Sequence, residues 1–467
     1  MAKVLFLQQT HEEWLGVMYL SAMLKARGHQ CDILVEPLEK DDLASAVPRM
    51  RPDILAVSCL TSDYHWATAQ VKKIKRASDP LVVFGGTHVT LDPEESIADP
   101  SVDVICRGEG ELPLAELADA VDRGGDYTSI ANLWVKTETG VIRNEMGNLV
   151  EDLDSLPFPD RGLYTRYEFF QRRGKRSLAL GRGCPYACAH CHNSAKRAVF
   201  KDKGRYVRWR SRENILDEID ALLETEFVTV LHFIDDSFGA NQGWLVELVR
   251  DLVARRGSSV ALQANMRADL VTEELCAALG EYGADKLRLR IAVETGNEDY
   301  RRRILKKNIS DDELVGAADT LNRYGIDFVT YNMLGLPGES YAEALETLRF
   351  NCRMKPALAL CFVFQPFPGT ELARFAVEKG FLPPENLGRM GTAEYGGFFH
   401  SRSPLIQPEI EKIENLHAVF GFVASHPIFV PLAGAFCRIT VLAPLFRLFY
   451  RAYLRWILWR RKSRDAY

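Results

Sequence analysis

The feature that most constrains this chain is a repeated alternation of short apolar runs with stretches of helical periodicity. Five runs rich in β-branched residues and leucine occupy residues 4–7, 31–35, 53–58, 81–84 and 102–106. Six more occupy residues 178–180, 228–234, 260–265, 287–293, 328–333 and 358–364. Continuous apolar runs separated by helices are typical of strands buried on both faces of a parallel sheet. The sequence therefore predicts an α/β fold.

The two sets of runs predict different architectures. The first set predicts a doubly wound, Rossmann-like parallel sheet. In the second set, helical periodicity resumes at Arg212, Gln242, Thr272, Asp311 and Tyr341, which predicts an open (β/α)6 barrel. Ligands in such folds bind beyond the carboxyl ends of the strands. The polar residues that follow each run are therefore the candidates for binding and catalysis.

Three cysteines, Cys184, Cys188 and Cys191, lie in one short loop directly after the first strand of the predicted barrel. Thiolates that close together can bind a metal, but zinc sites and thiolate-bound four-iron clusters normally take four protein ligands. The loop is therefore a zinc site completed by His190 or His192, an iron–sulfur site with one open corner, or a set of thiols placed together by chance. The other seven cysteines are scattered singly, as expected of small core residues.

The CxxxCxxC spacing of this loop resembles that of the radical S-adenosylmethionine (SAM) enzyme family. In that family the loop ligates three irons of a [4Fe–4S] cluster, and the fourth iron binds SAM. The resemblance implies that Cys184, Cys188 and Cys191 hold such a cluster and that reductive cleavage of SAM gives a 5′-deoxyadenosyl radical. It also implies an external electron donor, such as a flavodoxin or ferredoxin. One departure is His190, where the family usually has an aromatic residue.

Residues at the later strand ends match positions where the family binds SAM. Asp235 and Asp236 follow the second strand, at the place of the contact to the ammonium group. Asn265 and Arg267 follow the third, and an arginine can pair with the methionyl carboxylate through two hydrogen bonds. Glu294 ends the fourth strand and resembles the ribose-binding carboxylate of the family.

A Gly-Leu-Pro-Gly-Glu segment follows the fifth strand. The resemblance implies that Gly335 and Leu336 approach the adenine through their backbone, and we expect Glu339 to cap the next helix. Residues 365–371, after the sixth strand, look like the closing motif of the family.

The first predicted sheet carries glycines and hydroxyl residues after its third, fourth and fifth strands. The pattern Ser-x-Leu, Gly-Gly and Gly-Glu-Gly-Glu resembles the cobalamin-binding domain that precedes many radical SAM barrels. The resemblance implies that cobalamin contacts Ser58, Leu60, Thr61, Gly85, Gly86, Thr87, Gly108 and Glu109. A dinucleotide site is the competing interpretation, but no GxGxxG follows the first strand.

Of the Asp-x-His-x-x-Gly motif that supplies a cobalt ligand, only His11 is present, so we expect no protein histidine on cobalt. We expect His11 and His88 to be hydrogen-bonding loop residues.

Four segments are predicted along the chain: a cobalamin-binding domain (1–125), a connector with a hairpin near 134–143 (126–175), the radical SAM barrel (176–385) and a carboxyl-terminal region (386–467). A net charge of −5 gives no reason to expect nucleic acid as a partner. The amino terminus has too short an apolar run for a signal peptide, so we expect a cytoplasmic protein.

The carboxyl-terminal region contains an apolar stretch, residues 428–446, with Arg438 as its one charge and two prolines. Beyond it Arg447, Arg451 and Arg455 share one helical stripe, and seven Arg and one Lys against one Asp give residues 438–467 a charge of +7. Basic, tryptophan-rich amphipathic helices lie in membrane interfaces. We expect peripheral or re-entrant attachment to the cytoplasmic face of a membrane; a buried core helix is the alternative. Attachment to a membrane would indicate a lipid-like or isoprenoid-like substrate.

These resemblances imply a cobalamin-dependent radical SAM enzyme that methylates an unactivated carbon of a hydrophobic small molecule. Oxidative cyclisation or rearrangement with the same cofactors, and a barrel with a vestigial cobalamin domain, are the enzymatic alternatives. A methylthiotransferase is less favoured, because the amino-terminal domain lacks three cysteines arranged for a second cluster. The non-enzymatic alternative is a membrane-attached iron–sulfur sensor.

Overall fold

The structure, a computed structural model, describes residues 1–392, 395 and 402–462, with side chains up to residue 456. The described residues form two compact units. The first comprises residues 1–173, 195–227 and 388–392, and the second comprises 174–194, 228–387 and the described residues from 395 onward. Residues 195–227 thus belong to the first unit, although they lie within the predicted barrel in sequence.

The first 173 residues contain seven strands and seven α-helices. The strands are β1 (Lys3–Gln8), β2 (Gln30–Val35), β3 (Ile54–Ser58), β4 (Leu81–Gly85), β5 (Val104–Cys106), β6 (Leu133–Thr137) and β7 (Gly140–Arg143). The helices are α1 (Leu15–Ala26), α2 (Leu43–Met50), α3 (Thr61–Ile74), α4 (Thr87–Leu91), α5 (Pro93–Ala98), α6 (Glu111–Arg123) and α7 (Glu168–Arg172).

The first unit is built on one sheet with the strand order β2-β1-β3-β4-β5-β6-β7. Strands β1 to β5 are parallel, which confirms the doubly wound sheet expected from the apolar runs. The hairpin expected near 134–143 is also present, as β6 and β7, and it extends the sheet by antiparallel pairing with β5. Because the carboxyl ends of β3, β4 and β5 lie at one edge, the residues that follow them are brought together.

The rest of the described chain adds eight strands and eleven helices. The strands are β8 (Lys175–Leu178), β9 (Gly181–Arg182), β10 (Arg208–Trp209), β11 (Val230–Phe238), β12 (Ala261–Met266), β13 (Leu287–Glu294), β14 (Phe328–Leu334) and β15 (Leu358–Val363). The helices are α8 (His192–Val199), α9 (Arg212–Thr225), α10 (Gln242–Arg256), α11 (Glu273–Tyr282), α12 (Glu298–Arg303), α13 (Asp311–Arg323), α14 (Tyr341–Met354), α15 (Glu371–Glu378), α16 (Ile410–Ser425), α17 (Val430–Phe436) and α18 (Ala443–Lys462).

The second unit contains a six-stranded sheet with the order β15-β14-β13-β12-β11-β8. All of its strand pairs are parallel, which confirms the open (β/α)6 arrangement. Its first strand ends earlier than predicted, at Leu178 rather than residue 180. The physical reason is that the Asp235 carboxylate accepts hydrogen bonds from the amides of Leu180 and Gly181, which therefore do not continue the strand ladder.

Three helices of the carboxyl-terminal region follow the sheet. Helix α16 packs on β15 and α14 through the buried side chains of Ile413, Leu416 and Phe420. Helices α17 and α18 expose several apolar side chains, among them Leu432 (52%) and Leu448 (65%). The short segments that precede each helix expose Ile428 (81%) and Val441 (80%). Within the described residues no single helix is long and apolar enough to cross a membrane. Segments 427–436 and 440–456 have the necessary length and hydropathy only when they are taken together, and the pair is bent by 110°.

Replacing Gly86 by alanine should lower the free energy of unfolding by about 2–5 kcal/mol. Gly86 has φ of +96°, and a Cβ atom there would lie 2.7 Å from the carbonyl oxygen of Cys59. The matched control is Gly28→Ala, because Gly28 has φ of +84° with open space around it. The control should lose only the backbone cost, about 1–2 kcal/mol. Chemical denaturation of both variants measures the difference, and equal losses would contradict the close approach at Cys59.

Candidate active site

The cysteine loop of the second unit lies between β9 and α8 and is held by two adjacent carboxylates at the end of β11. The Oδ1 atom of Asp235 accepts hydrogen bonds from the amides of Leu180 (2.8 Å) and Gly181 (2.9 Å). Asp236 accepts one from the Gly183 amide (3.2 Å) and one from the side-chain amide of Asn193 (2.8 Å). Asp236 therefore holds the loop at both of its ends.

The middle of the loop is held by its backbone. The Ala189 amide donates to the carbonyl oxygen of Leu305 (2.8 Å), and the Ala189 carbonyl accepts from the amide of Leu372 at the start of α15 (2.9 Å). The hydroxyl of Ser194 donates to the carbonyl oxygens of Cys188 and Cys191. The conformation of the loop is thus specified by other segments of the second unit.

The thiols of Cys184, Cys188 and Cys191 lie near enough for each charge to affect the pKa of its neighbours. Burial raises the pKa of Cys191 to about 12, and the neighbouring Cys188 and Cys184 add to this shift. Among the described residues no three His, Cys, Asp or Glu side chains converge on a position for a single metal ion. In a four-iron cluster each thiolate binds a different iron, so the sulfur atoms need not converge. The geometry therefore fits a cluster better than a zinc ion.

His190, between the second and third cysteines, belongs to a buried charged group at the end of β13. Its Nε2 atom lies 3.6 Å from the Oε1 atom of Glu294, and the Lys307 ammonium group lies 2.9 Å from the same oxygen. Burial alone would raise the pKa of Glu294, but the charges of Lys307 and His190 lower it well below its usual range. Glu294 has φ of +70°, so its carboxylate is held at a strained turn. The sequence interpretation missed Lys307, which acts from thirteen residues further along the chain.

Arg267, expected to pair with the methionyl carboxylate, makes several contacts within the protein. Its guanidinium donates to both carboxylate oxygens of Asp269 at 2.9 Å and 2.8 Å. Its Cζ atom lies 3.6 Å from the ring centroid of Tyr186, and Nη1 lies 3.7 Å from the sulfur of Cys188. Arg267 therefore places a positive charge beside the second cysteine, and Asp269 and Tyr186 hold it there. Both partners were absent from the sequence interpretation.

Several buried polar atoms at the same edge of the sheet have no hydrogen-bond partner among the described residues. They are Asp235 Oδ2, Asn265 Oδ1, His190 Nδ1 and Glu339 Oε1. Each such atom costs about 1–3 kcal/mol if nothing binds it. Burial also raises the pKa of Asp235 to about 7 and that of Glu339 to about 8. This edge therefore fits a ligand rich in polar groups, as SAM is.

The segment after β14 differs from the expectation in one respect. Glu339 does not cap α14; Ser340 and Glu343 do, through a reciprocal capping box. The Oε2 atom of Glu339 instead accepts hydrogen bonds from the amides of Gly335 (2.6 Å) and Leu336 (3.2 Å). The expectation was wrong because a glutamate can turn back to bind its own loop, a choice that the sequence pattern does not distinguish.

In the first unit, the candidate cobalamin residues meet at the carboxyl edge of β3, β4 and β5. The hydroxyl of Thr90 links two of the loops, since it donates to the Gly86 carbonyl and accepts from the Gly108 amide. Thr61 is buried, whereas Leu60 is 38% exposed. Ser58, Gly85 and Thr87 are half-buried at this edge.

Two residues at this edge have roles that the sequence did not indicate. Glu109 forms a two-point ion pair with the buried Arg208 (2.8 Å and 3.1 Å) and accepts from the Val150 amide. His88 was expected in a loop but lies buried in α4, with its Nδ1 atom 3.4 Å from the Thr61 hydroxyl, and burial lowers its pKa to about 4. The Nε2 atom of His88 and the Oδ2 atom of Asp63 have no partner among the described residues, so this edge also fits a polar ligand.

Comparisons with known proteins agree with this division. The family model of the radical SAM superfamily matches residues 178–350, and that of the B12 binding domain matches residues 9–118. An uncharacterized methyltransferase of Pyrococcus horikoshii, PH0819, is 27% identical over 81% of this chain and 82% of its own length. The anaerobic magnesium-protoporphyrin IX monomethyl ester cyclase of Rubrivivax gelatinosus is 24% identical over 76% of this chain and 65% of its own.

Solved structures share the fold. TsrM of Kitasatospora setae, a radical SAM methyltransferase solved with cobalamin and a [4Fe–4S] cluster bound, superimposes with a TM-score of 0.68 at 16% identity, over 93% of this chain and 99% of that one. OxsB, a cobalamin-dependent radical SAM enzyme, gives a TM-score of 0.69 at 16% identity, over 96% and 72%.

The fold and the cysteine loop define a radical SAM enzyme. The chain belongs to the radical SAM superfamily and carries a B12-binding domain, so it is a cobalamin-dependent radical SAM enzyme. Its cofactors are a [4Fe–4S] cluster, SAM and cobalamin.

Replacing Asp235 by asparagine should stabilise the cofactor-free protein at pH 8 and stabilise it less at pH 5. The pKa of Asp235 is raised from 3.8 to about 7 in the folded state, so the protein loses stability as pH rises from the lower value to the higher one, and the loss is complete above it. Asparagine keeps an oxygen for both backbone amides and carries no charge. We expect a gain of about 1–4 kcal/mol at pH 8, from about 1.4 kcal/mol per pKa unit.

Urea denaturation of iron-free protein at both pH values measures this gain. The control is Asp319→Asn, a substitution of an exposed carboxylate on α13, which should change little at either pH. A loss of stability at pH 8 in Asp235→Asn would show that the negative charge itself holds the loop.

Proposed function

We propose that this enzyme transfers a methyl group to a carbon atom of a small-molecule substrate. Support comes from the relatives named as methyltransferases, among them PH0819 and the cobalamin-dependent methyltransferase TokK of Streptomyces tokunonensis, which is 28% identical over 66% of this chain. The observation that carries the proposal is a loop of three cysteines beside partnerless buried polar atoms, in a chain that also has a B12-binding domain.

The proposed roles follow the two units. Cys184, Cys188 and Cys191 hold the cluster, and residues at the carboxyl ends of β11 to β14 hold SAM. The SAM-binding set is Asp235, Asp236, Asn265, Arg267, Glu294, Gly335 and Leu336. When bound, the cluster and SAM would supply a 5′-deoxyadenosyl radical that activates a carbon–hydrogen bond, and cobalamin would supply the methyl group. An external electron donor is required for the reductive step.

The contacts within the protein assign more specific tasks to these side chains. Asp236 fixes both ends of the cysteine loop, and Asp235 offers its second oxygen, Oδ2, to the ammonium group of SAM. Lys307 keeps Glu294 ionised, so that the carboxylate can accept hydrogen bonds from ribose hydroxyls. The amides of Gly335 and Leu336 are bound by Glu339. The Leu336 carbonyl already accepts hydrogen bonds from the Glu339 amide and the Gln407 side chain, so the Gly335 carbonyl is the one left for contact with adenine.

Oxidative cyclisation is the second candidate, because relatives named as magnesium-protoporphyrin IX monomethyl ester cyclases match 76% of this chain. The two reactions differ in the fate of SAM. Methylation consumes a second SAM as methyl donor and yields S-adenosylhomocysteine together with 5′-deoxyadenosine. Cyclisation yields 5′-deoxyadenosine without stoichiometric S-adenosylhomocysteine.

The test is anaerobic reconstitution with iron, sulfide and cobalamin, followed by SAM, a reductant and a lipid extract. Cys188→Ala should lose 5′-deoxyadenosine formation by at least a hundredfold, because one iron loses its ligand. Cys352→Ala removes a half-buried cysteine on α14, outside the loop, and should keep both products. Equal amounts of 5′-deoxyadenosine from Cys188→Ala and the wild type would contradict the proposal, and neither product from the wild type would favour the sensor.

We further propose that α17 and α18 attach the enzyme to the cytoplasmic face of an anionic membrane, where a hydrophobic, lipid-like substrate would be reached. Support comes from the apolar–basic surface of residues 428–456. Its exposed large apolar side chains are Ile428, Phe429, Leu432, Phe436, Ile439, Val441, Leu445, Leu448, Phe449 and Trp456, and its exposed arginines are Arg438, Arg451 and Arg455. Exposed apolar patches of this kind mark interaction sites, and arginines favour anionic head groups.

Sedimentation with vesicles tests the membrane proposal. The double variant Arg451→Glu/Arg455→Glu should bind vesicles containing phosphatidylglycerol at least tenfold more weakly, since each basic residue near such a surface contributes about 1 kcal/mol. Leu445→Ser/Leu448→Ser should weaken binding as well. Ile406→Ser changes a 66% exposed apolar residue outside the surface and is the control. Wild-type protein that stays in the supernatant at low salt would exclude the proposal.

A further inference from the structure

Strand β13 presents two arginines on one face of the second sheet. Its side chains alternate between buried aliphatic residues and half-buried polar or small ones. The half-buried face consists of Arg288, Arg290, Ala292 and Glu294. Glu294 belongs to the SAM edge, and Arg290 lies four residues deeper, about 13 Å away at 3.3 Å per residue. Arg290 is therefore well separated from Glu294, whereas Asn265, its register partner on β12, is shared with the proposed SAM-binding set.

Arg290 has no acidic partner among the described residues. Its Nη1 atom lies 3.4 Å from Nε2 of His232 on β11, and its Cζ atom lies 5.9 Å from the ring centroid of Tyr331 on β14. A guanidinium always carries its charge and can only donate hydrogen bonds, so the Nε2 atom of His232 is the acceptor here. Neither contact neutralises the positive charge.

Three buried arginines of the described chain are neutralised by carboxylates. Arg301 pairs with Asp311 at 2.6 Å, Arg208 with Glu109 at 2.8 Å and Arg210 with Glu218 at 2.5 Å. A partly desolvated charge without a counter-ion costs several kcal/mol. The chain meets this cost with a carboxylate at these three positions, so the missing carboxylate at Arg290 points to an anion from outside the protein.

The neighbours of Arg290 suit such an anion. Asn265 is its register partner on β12, and Gln263 lies two residues before Asn265. Gln263 is only 2% exposed, and each of the two amides has an oxygen without a described partner. An amide of this kind can turn its N–H groups towards a negatively charged ligand. Tyr331 packs edge-on against Phe362, with ring centroids 5.7 Å apart, and adds an aromatic surface.

We propose that Arg290, Asn265 and Gln263 bind an anionic group of the substrate, a carboxylate or a phosphonate or phosphate, while an apolar or aromatic body of the substrate packs against Tyr331 and Phe362. This inference rests on the proposed function in one respect, since it takes the bound anion to be part of the substrate. It specifies the class of substrate that the enzyme would accept. The separation of about 13 Å between Arg290 and Glu294 leaves room for a small molecule between the anion site and the SAM edge.

The experiment measures binding without turnover, using simple aromatic probes. Benzoate and phenylphosphonate, at constant ionic strength, should each be tested for their effect on the Tm of the full-length protein, with benzyl alcohol as the neutral probe. At ten times its dissociation constant the recognised anion should raise Tm by about 2–4 °C. The probe with the larger shift identifies the anion as a carboxylate or a phosphonate. An equal shift with benzyl alcohol would overturn the proposal.

Two variants make the result specific. Arg290→Gln should abolish the shift, whereas Arg250→Gln, which changes a 51% exposed arginine on α10, should retain it. If Arg290→Gln does not fold, Asn265→Asp serves instead, because it places a carboxylate in register with Arg290 and should compete with the probe. Equal shifts in the wild type and in the folded variant overturn the proposal.

Calorimetric titration with S-adenosylhomocysteine separates this site from the SAM site. In protein reconstituted with its cluster, Arg290→Gln should bind S-adenosylhomocysteine within twofold of the wild type. A tenfold loss would assign Arg290 to SAM and overturn the inference. Failure of the proposed function would appear differently, as absent 5′-deoxyadenosine with the anion-dependent Tm shift intact.

Discussion

The cysteine loop depends on two neighbouring carboxylates, Asp235 and Asp236. A loop without regular secondary structure must find partners for its amides elsewhere, since unpaired buried amides are costly. These two side chains supply acceptors at both ends of the loop. The strand that carries them, β11, pairs directly with β8, which leads into the loop. The position of the thiols is therefore set by the parallel sheet rather than by the loop's own sequence.

Buried charge organises the rest of this edge in the same way. Arg267 is oriented by Asp269 and by the ring of Tyr186, and Glu294 is kept ionised by Lys307. In each case a residue proposed to bind a ligand is held in place by a second residue that is not itself proposed to bind one. Arg290 departs from this rule, since its contacts are an imidazole and an aromatic ring and include no carboxylate. That departure is the reason to assign it a ligand of its own.

The sequence predicts this architecture well because buried strands and amphipathic helices produce apolar patterns that are visible in the sequence. The hairpin near Trp134, the parallel order and the starts of α9, α10, α13 and α14 all follow from local pattern and capping chemistry. Contacts between residues that are distant in sequence cannot be predicted in this way. Lys307 resembles any other lysine in sequence, and nothing before the fold was known linked Arg208 to Glu109, 99 residues earlier. Glu339 was misassigned because its two possible hydrogen-bond targets are equally close along the chain.

The ion pair between Glu109 and Arg208 has a consequence for how such a protein can be divided. Arg208 lies in a segment that is flanked on both sides, in sequence, by residues of the second unit. A fragment cut where the B12-binding match ends, at residue 118, keeps the glutamate and loses the cation that neutralises it. The border between the two cofactor-binding halves is therefore not a single point on the polypeptide. Exchange of one half between relatives by recombination would have to carry the segment around Arg208 with it.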